Sequence, residues 1–535
     1  MSLPTLVVLG DQLSRTHGPL ARLGPEDARI LMVEARALLH GLPHHAQKVT
    51  AFLSAMRHLA ADLREDGYEV HYRRLDHPDA DDFGSALAAH LTAVGGEAWW
   101  TRPRDDGVEA ELRAGADAAG APVRTFEDEG WIVPDAVFDA WAEGRTTLKM
   151  ETFYRHVRRW SGVLMDDDGE PVGGRWNYDA ANRAGPPRDR TPPTRPMHAP
   201  DALTREVQAD VAAHLPRAWG ALEPFGWPVT RADALEVLDA FLHERFVDFG
   251  RYQDAMVSGE RTLWHSTLSV PLNLGLLHPR EVVDAALAHA ERVGTRPPDG
   301  EDDADGATAD AATADAAAVP LNALEGFVRQ VLGWREFLHH VYRTRSATLR
   351  AANVLEAHAP LPPAYWGAPT DLHCLATTIA GLEATGYAHH IERLMVTGNV
   401  AQLLGVEPTA LLEWFTATHV DALDWVMVPN VLAMSQYADG GGLTTKPYAA
   451  GANYLHKQSD ACAACRFDPK KREGEDACPI TAWYWAFVDR HQERFAGNHR
   501  MRMIVAGWRK RDADARAAIL ARADATRAAF LDGDL

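Results

Sequence analysis

Within its first 130 residues the chain alternates short apolar runs with helix-length amphipathic stretches. Thr5–Leu9, Ile30–Val33, Tyr68–Leu75, Ala98–Thr101 and Val123–Phe126 read as strands. Between them, 45–65 sets Val49, Phe52, Leu53, Met56, Leu59 and Leu63 on one helical face, and 83–94 is helical again. Strands alternating with helices predict a doubly wound α/β (Rossmann-like) domain over 1–130, because parallel neighbours need a crossover helix. Such sheets bind ligands at the carboxyl ends of their strands. The turn Gly10-Asp11-Gln12-Leu13-Ser14 follows the first strand, but it lacks the Gly-x-Gly-x-x-Gly spacing of a dinucleotide turn.

Beyond this unit, 131–230 is rich in Pro, Gly and Arg and reads as an irregular interdomain linker. From 231 to 535 the pattern is mostly helical, which predicts a large all-α domain. The 299–318 stretch carries seven acids and no base between Asp299 and Asp315, so a disordered acidic insertion is expected there. A net charge of −21 argues against a general nucleic-acid binder. Basic clusters at Arg155, Arg158 and Arg159, at Lys470–Arg472 and at Arg500–Arg511 still allow a local basic face. No basic region precedes the first apolar run, and no apolar run reaches the roughly 18 residues of a membrane span. A cytoplasmic protein without a membrane partner is expected. The sixteen tryptophans suit either a large core or stacking and electron transfer.

All four cysteines lie in the second half: Cys374, then Cys462-x-x-Cys465, then Cys478-Pro479. In a reducing compartment this spacing reads as a metal site. Unlinked thiols, a four-cysteine zinc site and a [4Fe–4S] cluster are the three readings, and spacing alone leaves zinc against iron open.

Three further segments carry chemistry. Trp264-His265-Ser266-Thr267-Leu268-Ser269 places hydroxyls at a helix start, suited to a pyrophosphate or to simple capping. The others are Glu325–Phe337, ending Trp334-Arg-Glu-Phe337, and Tyr387–Asn399, with His389-His390. With these stand Leu9-Gly-Asp-Gln-Leu-Ser14, Met150-Glu-Thr-Phe-Tyr-Arg155, Pro171-Val-Gly-Gly-Arg-Trp-Asn177, Met434-Ser-Gln436 and Thr445-Lys-Pro-Tyr448. In that order they resemble the photolyase/cryptochrome superfamily, in its iron–sulfur branch of bacterial (6-4) photolyases and related cryptochromes.

The resemblance implies FAD in the helical domain, with His265, Ser266, Leu268 and Ser269 at its phosphates. Gln330, Trp334, Asn399, Asp421, Asp424 and Asn430 would line the flavin. It implies His389 and His390 as the catalytic pair, one of them a protonated acid, and Asp254 and Tyr448 beside the lesion. Trp366 and Trp414 would carry electrons, Cys374, Cys462, Cys465 and Cys478 a [4Fe–4S] cluster, and Gly10, Asp11, Gln12 and Glu34 a 6,7-dimethyl-8-ribityllumazine antenna. The chain departs from the pattern at Phe415, Met427 and Leu38, where the resemblance calls for an oxidisable ring, an acid and a carboxylate. The implied activity is light-driven repair of (6-4) photoproducts in UV-damaged DNA, by a monomer. A photoreceptor with the same cofactors and no repair is the alternative. A zinc-stabilised nucleic-acid-binding protein without flavin is the rival from another class.

Overall fold

The computed structural model describes residues 2–187, 190–299 and 318–535. The expected disordered insertion, apart from its two end residues, lies outside the described residues. Strands β1 (Thr5–Val7), β2 (Arg29–Val33), β3 (Val70–Arg73), β4 (Ala98–Thr101) and β5 (Val123–Phe126) form one parallel sheet in the order β3-β2-β1-β4-β5. Leu6 stands between Ile30 and Trp99. The winding reverses between β1 and β4, so the crevice of this sheet opens at the ends of those two strands.

The strand period of two divides the core. Val7, Leu9, Leu31 and Val33 pack with Phe83, Leu87 and Leu112 on one face. Leu6, Val8, Ile30 and Met32 face the other way and join the core that runs on into the helical domain. One sheet face is therefore sealed by the rest of the protein rather than by solvent. Gly275 marks the junction. Its φ is 81°, and a Cβ added there would lie 2.9 Å from the Leu13 nitrogen, so no side chain fits.

The segment expected to be an irregular linker is more ordered than that. It holds helices Asp135–Ala142, Met150–Ser161 and Ala202–His214. Met150–Ser161 buries Phe153, Tyr154 and Val157, and its Arg158 is also fully buried, donating to the Val163, Leu164 and Trp176 carbonyls. Those charges disguised an amphipathic helix as a basic loop. Among the described residues no helix is long and apolar enough to cross a membrane. Among the described residues the helical domain contains four π-type segments: Phe241–Arg245, Arg329–Arg335, Glu392–Gly398 and Pro429–Ser435.

Candidate cofactor and substrate cavity

A cavity of about 320 Å³ lies inside the helical domain. Three of the π segments build its wall: Gln330, Trp334 and Arg335 from the first, Arg393 and Leu394 from the second, Asn430, Met434 and Ser435 from the third. Widening a helical turn by one residue swings side chains off the regular stripe, and such turns cluster at functional sites. His265, Ser266, Thr267, Leu268 and Ser269 close the wall at the start of helix Ser269–Leu274. Thr267 holds a φ of 56°, a strained backbone for a β-branched residue.

The cavity's charges are specific. Arg393 grips Asp421 through two bonds of 2.9 and 3.0 Å. Burial opposes ionisation of Asp421, but Arg393 outweighs it and holds the carboxyl below its ordinary range. Asp254 goes the other way: burial, then the nearby Asp179, push it up to about 6. His390 stands open to the cavity, while His389 is sealed behind it and stacks on His265, with ring centroids 4.7 Å apart. Burial first, then the Arg393 charge, bring His390 down to about 4. His265 falls to about 3 and His389 well below its usual value, again through burial first. All three are therefore neutral at pH 7. The protein's own groups thus do not supply the expected protonated histidine.

The remaining expectations divide. Gln330, Trp334, Asp421, Asn430 and Asp254 are on the wall. Asn399 is not: its amide bridges the Ala450 N–H and C=O at 2.9 and 3.0 Å, pinning the 448–451 segment. Asp424 is not either, being held by Arg350 and by the Tyr342 hydroxyl at 2.6 Å. Tyr448 is half-buried near the charges of Asp179, Arg183, Arg329 and Arg500, outside the wall. Trp414 is fully buried, with Phe415 between it and the cavity at 4.9 Å, and its indole donates to the Tyr365 carbonyl. Trp366 is 38% exposed and touches Trp219. The sequence reading did not assign Arg393 to the site, because its partner Asp421 is 28 residues away and belongs to another element. Trp425 and Met427 also line the cavity.

The four thiols meet where helix His373–Thr385 faces the 461–478 loop. Burial, then the other thiols, raise Cys374. Among the described residues the only trio of ligating atoms within 4.8 Å of one another is elsewhere, so no three of these sulfurs are that close. A tetrahedral zinc would hold them about 3.8 Å apart, from Zn–S bonds of about 2.3 Å. The donor set is all-thiolate, a set that a structural zinc or an iron–sulfur cluster takes.

At the strand ends, Glu34 is engaged within the fold. Its buried carboxylate accepts from Arg57 twice, from the Tyr72 hydroxyl and from the Leu75 N–H. Gly10 packs against Met56, and Arg104 donates to the Asp11 carbonyl. The small cavity that Gln12 lines holds about 30 Å³, room for a water.

A flavin dinucleotide needs donors for its phosphates, an acceptor and donors at its ring edge, and apolar walls. Ser266, Ser269 and the unpartnered His265 Nε2 supply the first, Asp421, Arg393 and Asn430 the second, and Trp425, Met427 and Val431 the third. The residues present fit the group. Comparison with known proteins agrees. Residues 6–227 match the family model described as deoxyribodipyrimidine photo-lyase-related protein. A (6-4) photolyase of Agrobacterium fabrum is 39% identical over 530 residues, covering 98% of each chain. An uncharacterised protein of Acanthamoeba polyphaga mimivirus is 30% identical over 114 residues, 21% of this chain and 84% of that one. In fold the chain is similar to a class III photolyase from Agrobacterium tumefaciens, with a TM-score of 0.56 at 16% identity over 98% of each chain. It is also similar to an archaeal photolyase from Sulfolobus tokodaii, with a TM-score of 0.53 at 14% identity over 99% of this chain and 100% of that one. With a parallel-sheet domain sealed onto a helical domain, a cavity fitted to a flavin and a relative matching end to end, the chain belongs to the photolyase/cryptochrome superfamily.

Proposed function

We propose that this protein repairs (6-4) photoproducts in UV-damaged DNA under light. The observation that carries the reading is one cavity that unites His390 and Asp254 with a flavin-fitting wall, in a chain 39% identical to a (6-4) photolyase over nearly its whole length. Reduced FAD bound there would supply an excited-state electron. The chain's residues do the rest. The cavity lies within the helical domain, so the damaged pair must leave the stack to reach it. His390 presents its ring to that space and is the proton carrier. Burial and the Arg393 charge hold its ring low, and the negative charge of a lesion phosphate alongside would raise it toward the protonated form. Asp421 holds Arg393 in place and offsets its field, which otherwise opposes that protonation. Asp254, at about 6, can hold a second proton near neutral pH.

The four cysteines are read as ligands of a [4Fe–4S] cluster, supported by the all-thiolate set and by the end-to-end match to a (6-4) photolyase. The cluster ties helix His373–Thr385 to the C-terminal segment. A lumazine antenna at Gly10–Gln12 requires that turn to open beyond its present 30 Å³.

The test is a duplex carrying one (6-4) product, incubated with the reduced protein in light and in the dark. Restoration of both pyrimidines in light alone is expected, from a preparation with about four iron and four sulfide per chain. Lesion binding without repair, while the flavin still cycles, would mean a photoreceptor. A flavin-free preparation with stoichiometric zinc would overturn the reading altogether.

A further inference from the structure

A second cavity of about 350 Å³ opens where the ends of β4 and β5 meet helix Glu336–Arg350. Asp135 and His339 line it, and His340 lies fully buried at its edge. We propose that Asp135, His339 and His340 form a site for a divalent transition-metal ion of the zinc class, separate from both the flavin cavity and the cysteine site.

One ligating atom from each of the three residues lies within 4.8 Å of the other two. The hydrogen bonds decide what those atoms present. His340 Nε2 is 3.0 Å from the Val133 carbonyl. A carbonyl only accepts, so Nε2 carries the proton and Nδ1 offers a lone pair. That lone pair faces Asp135 Oδ1 at 3.6 Å, and it has no hydrogen-bond partner among the described residues. A lone pair therefore points at a carboxylate with no proton between them, an arrangement that a cation resolves. His339 Nδ1 is likewise buried and without a partner. A ring nitrogen donating to a backbone carbonyl while its other nitrogen stays free is the usual state of a metal-binding histidine.

Neither ring can swing away. His339 stacks on Trp131 with centroids 3.5 Å apart and planes 11° apart. His340 stacks on Phe138 at 4.7 Å and 16°. The nearby charge also permits a cation. Arg102 and Arg343 both reach Asp135, but each has a second acid, Glu127 for Arg102 and Asp139 for Arg343. Three carboxylates thus face two guanidiniums. Two imidazole nitrogens and one carboxylate suit zinc-class ions and not calcium or magnesium, and the cavity leaves a position for water. Bonds of about 2.0–2.2 Å require ligands about 3.4 Å apart, so a side-chain shift of about an ångström closes the site.

The proposal stands independently of the repair reading. Its test is calorimetric titration of chelator-treated protein, with flavin and cluster retained, using Zn²⁺ alone and following iron throughout. Wild type should take up one equivalent with a micromolar or tighter Kd and lose no iron. Binding should weaken at least tenfold in His340→Ala and in His339→Gln. The second change keeps a polar side chain at a half-buried position, so the proposal stays testable if the first variant misfolds. No uptake by wild type, uptake unchanged in a folded variant, or uptake matched by iron loss would each overturn the assignment.

Discussion

The two ends of this molecule that sequence logic marks as ligand sites treat their polar groups in opposite ways. At the β1–β2 strand ends the acids are spent internally, although Arg57 Nη1 is buried without a partner. Glu34 accepts four hydrogen bonds, and Arg104 is held by Asp128 and by the Asp11 carbonyl. In the helical cavity, His265 Nε2 and the indole N–H of Trp425 are buried with no partner. A buried polar atom without a partner costs about 1–3 kcal/mol, and these two line one cavity of about 320 Å³ that a ligand can fill. Residue type and fold position suggested a ligand at both ends. Hydrogen-bond accounting separates a structural end from a binding one.

The largest expected effect tests the structural end. Glu34→Ala leaves Arg57, 4% exposed, with Asp210 alone and strands the Leu75 N–H. Removing one partner of a buried pair costs about 3–5 kcal/mol. Urea unfolding should show that loss, with flavin per folded molecule unchanged. Unchanged stability with loss of a pigment band would make the strand end a binding site and break the comparison. The next effect tests the other end. His390→Ala should lower repair about a hundredfold, the usual cost of a general acid, and leave flavin and cluster content intact. Repair at the wild-type rate would remove His390 from its role.

The sheet was legible because its strands are short apolar runs at regular spacing. Helix Asp106–Ala118 was not. It buries only Leu112, Gly115 and Ala116, and a Cβ at Gly115 would sit 2.3 Å from the Gly84 carbonyl oxygen. Helices that cross this closely replace the apolar stripe with small residues, and periodicity then has nothing to read. The cavity was legible as a set of segments. Which side chains face it was not, because the π segments rotate their residues away from the regular helical stripe. Asn399 and Asp424 lie in the right segments and point to structural work.

The smallest effect contrasts two histidines of similar low affinity for protons. His390 is open to its cavity, whereas His45 is fully buried and holds two elements together. His45 Nδ1 accepts from the Gln47 N–H and caps helix Ala46–Glu65, and its Nε2 donates to the Glu383 carbonyl of the helical domain. Gly220, with a φ of 77°, packs against the ring so closely that no side chain fits there. Burial brings His45 down to about 4 against the backbone bonds that favour its charged form. Its folded value is therefore below its unfolded one, near 6.5. Above that pH the ring is neutral in both states and its stabilising contacts are complete. As pH falls from about 6.5 to 4, the unfolded chain takes the proton first, and stability drops by about 1.4 kcal/mol per pH unit. Asn also caps helices but does not titrate. His45→Asn should therefore remove that slope from the difference between the two proteins' unfolding free energies. The other buried histidines are common to both and cancel. By the same linkage His390→Asn should remove a similar slope, because that ring is brought to about 4 as well. Equal slopes for wild type and His45→Asn would mean that this histidine is not held neutral at the domain junction.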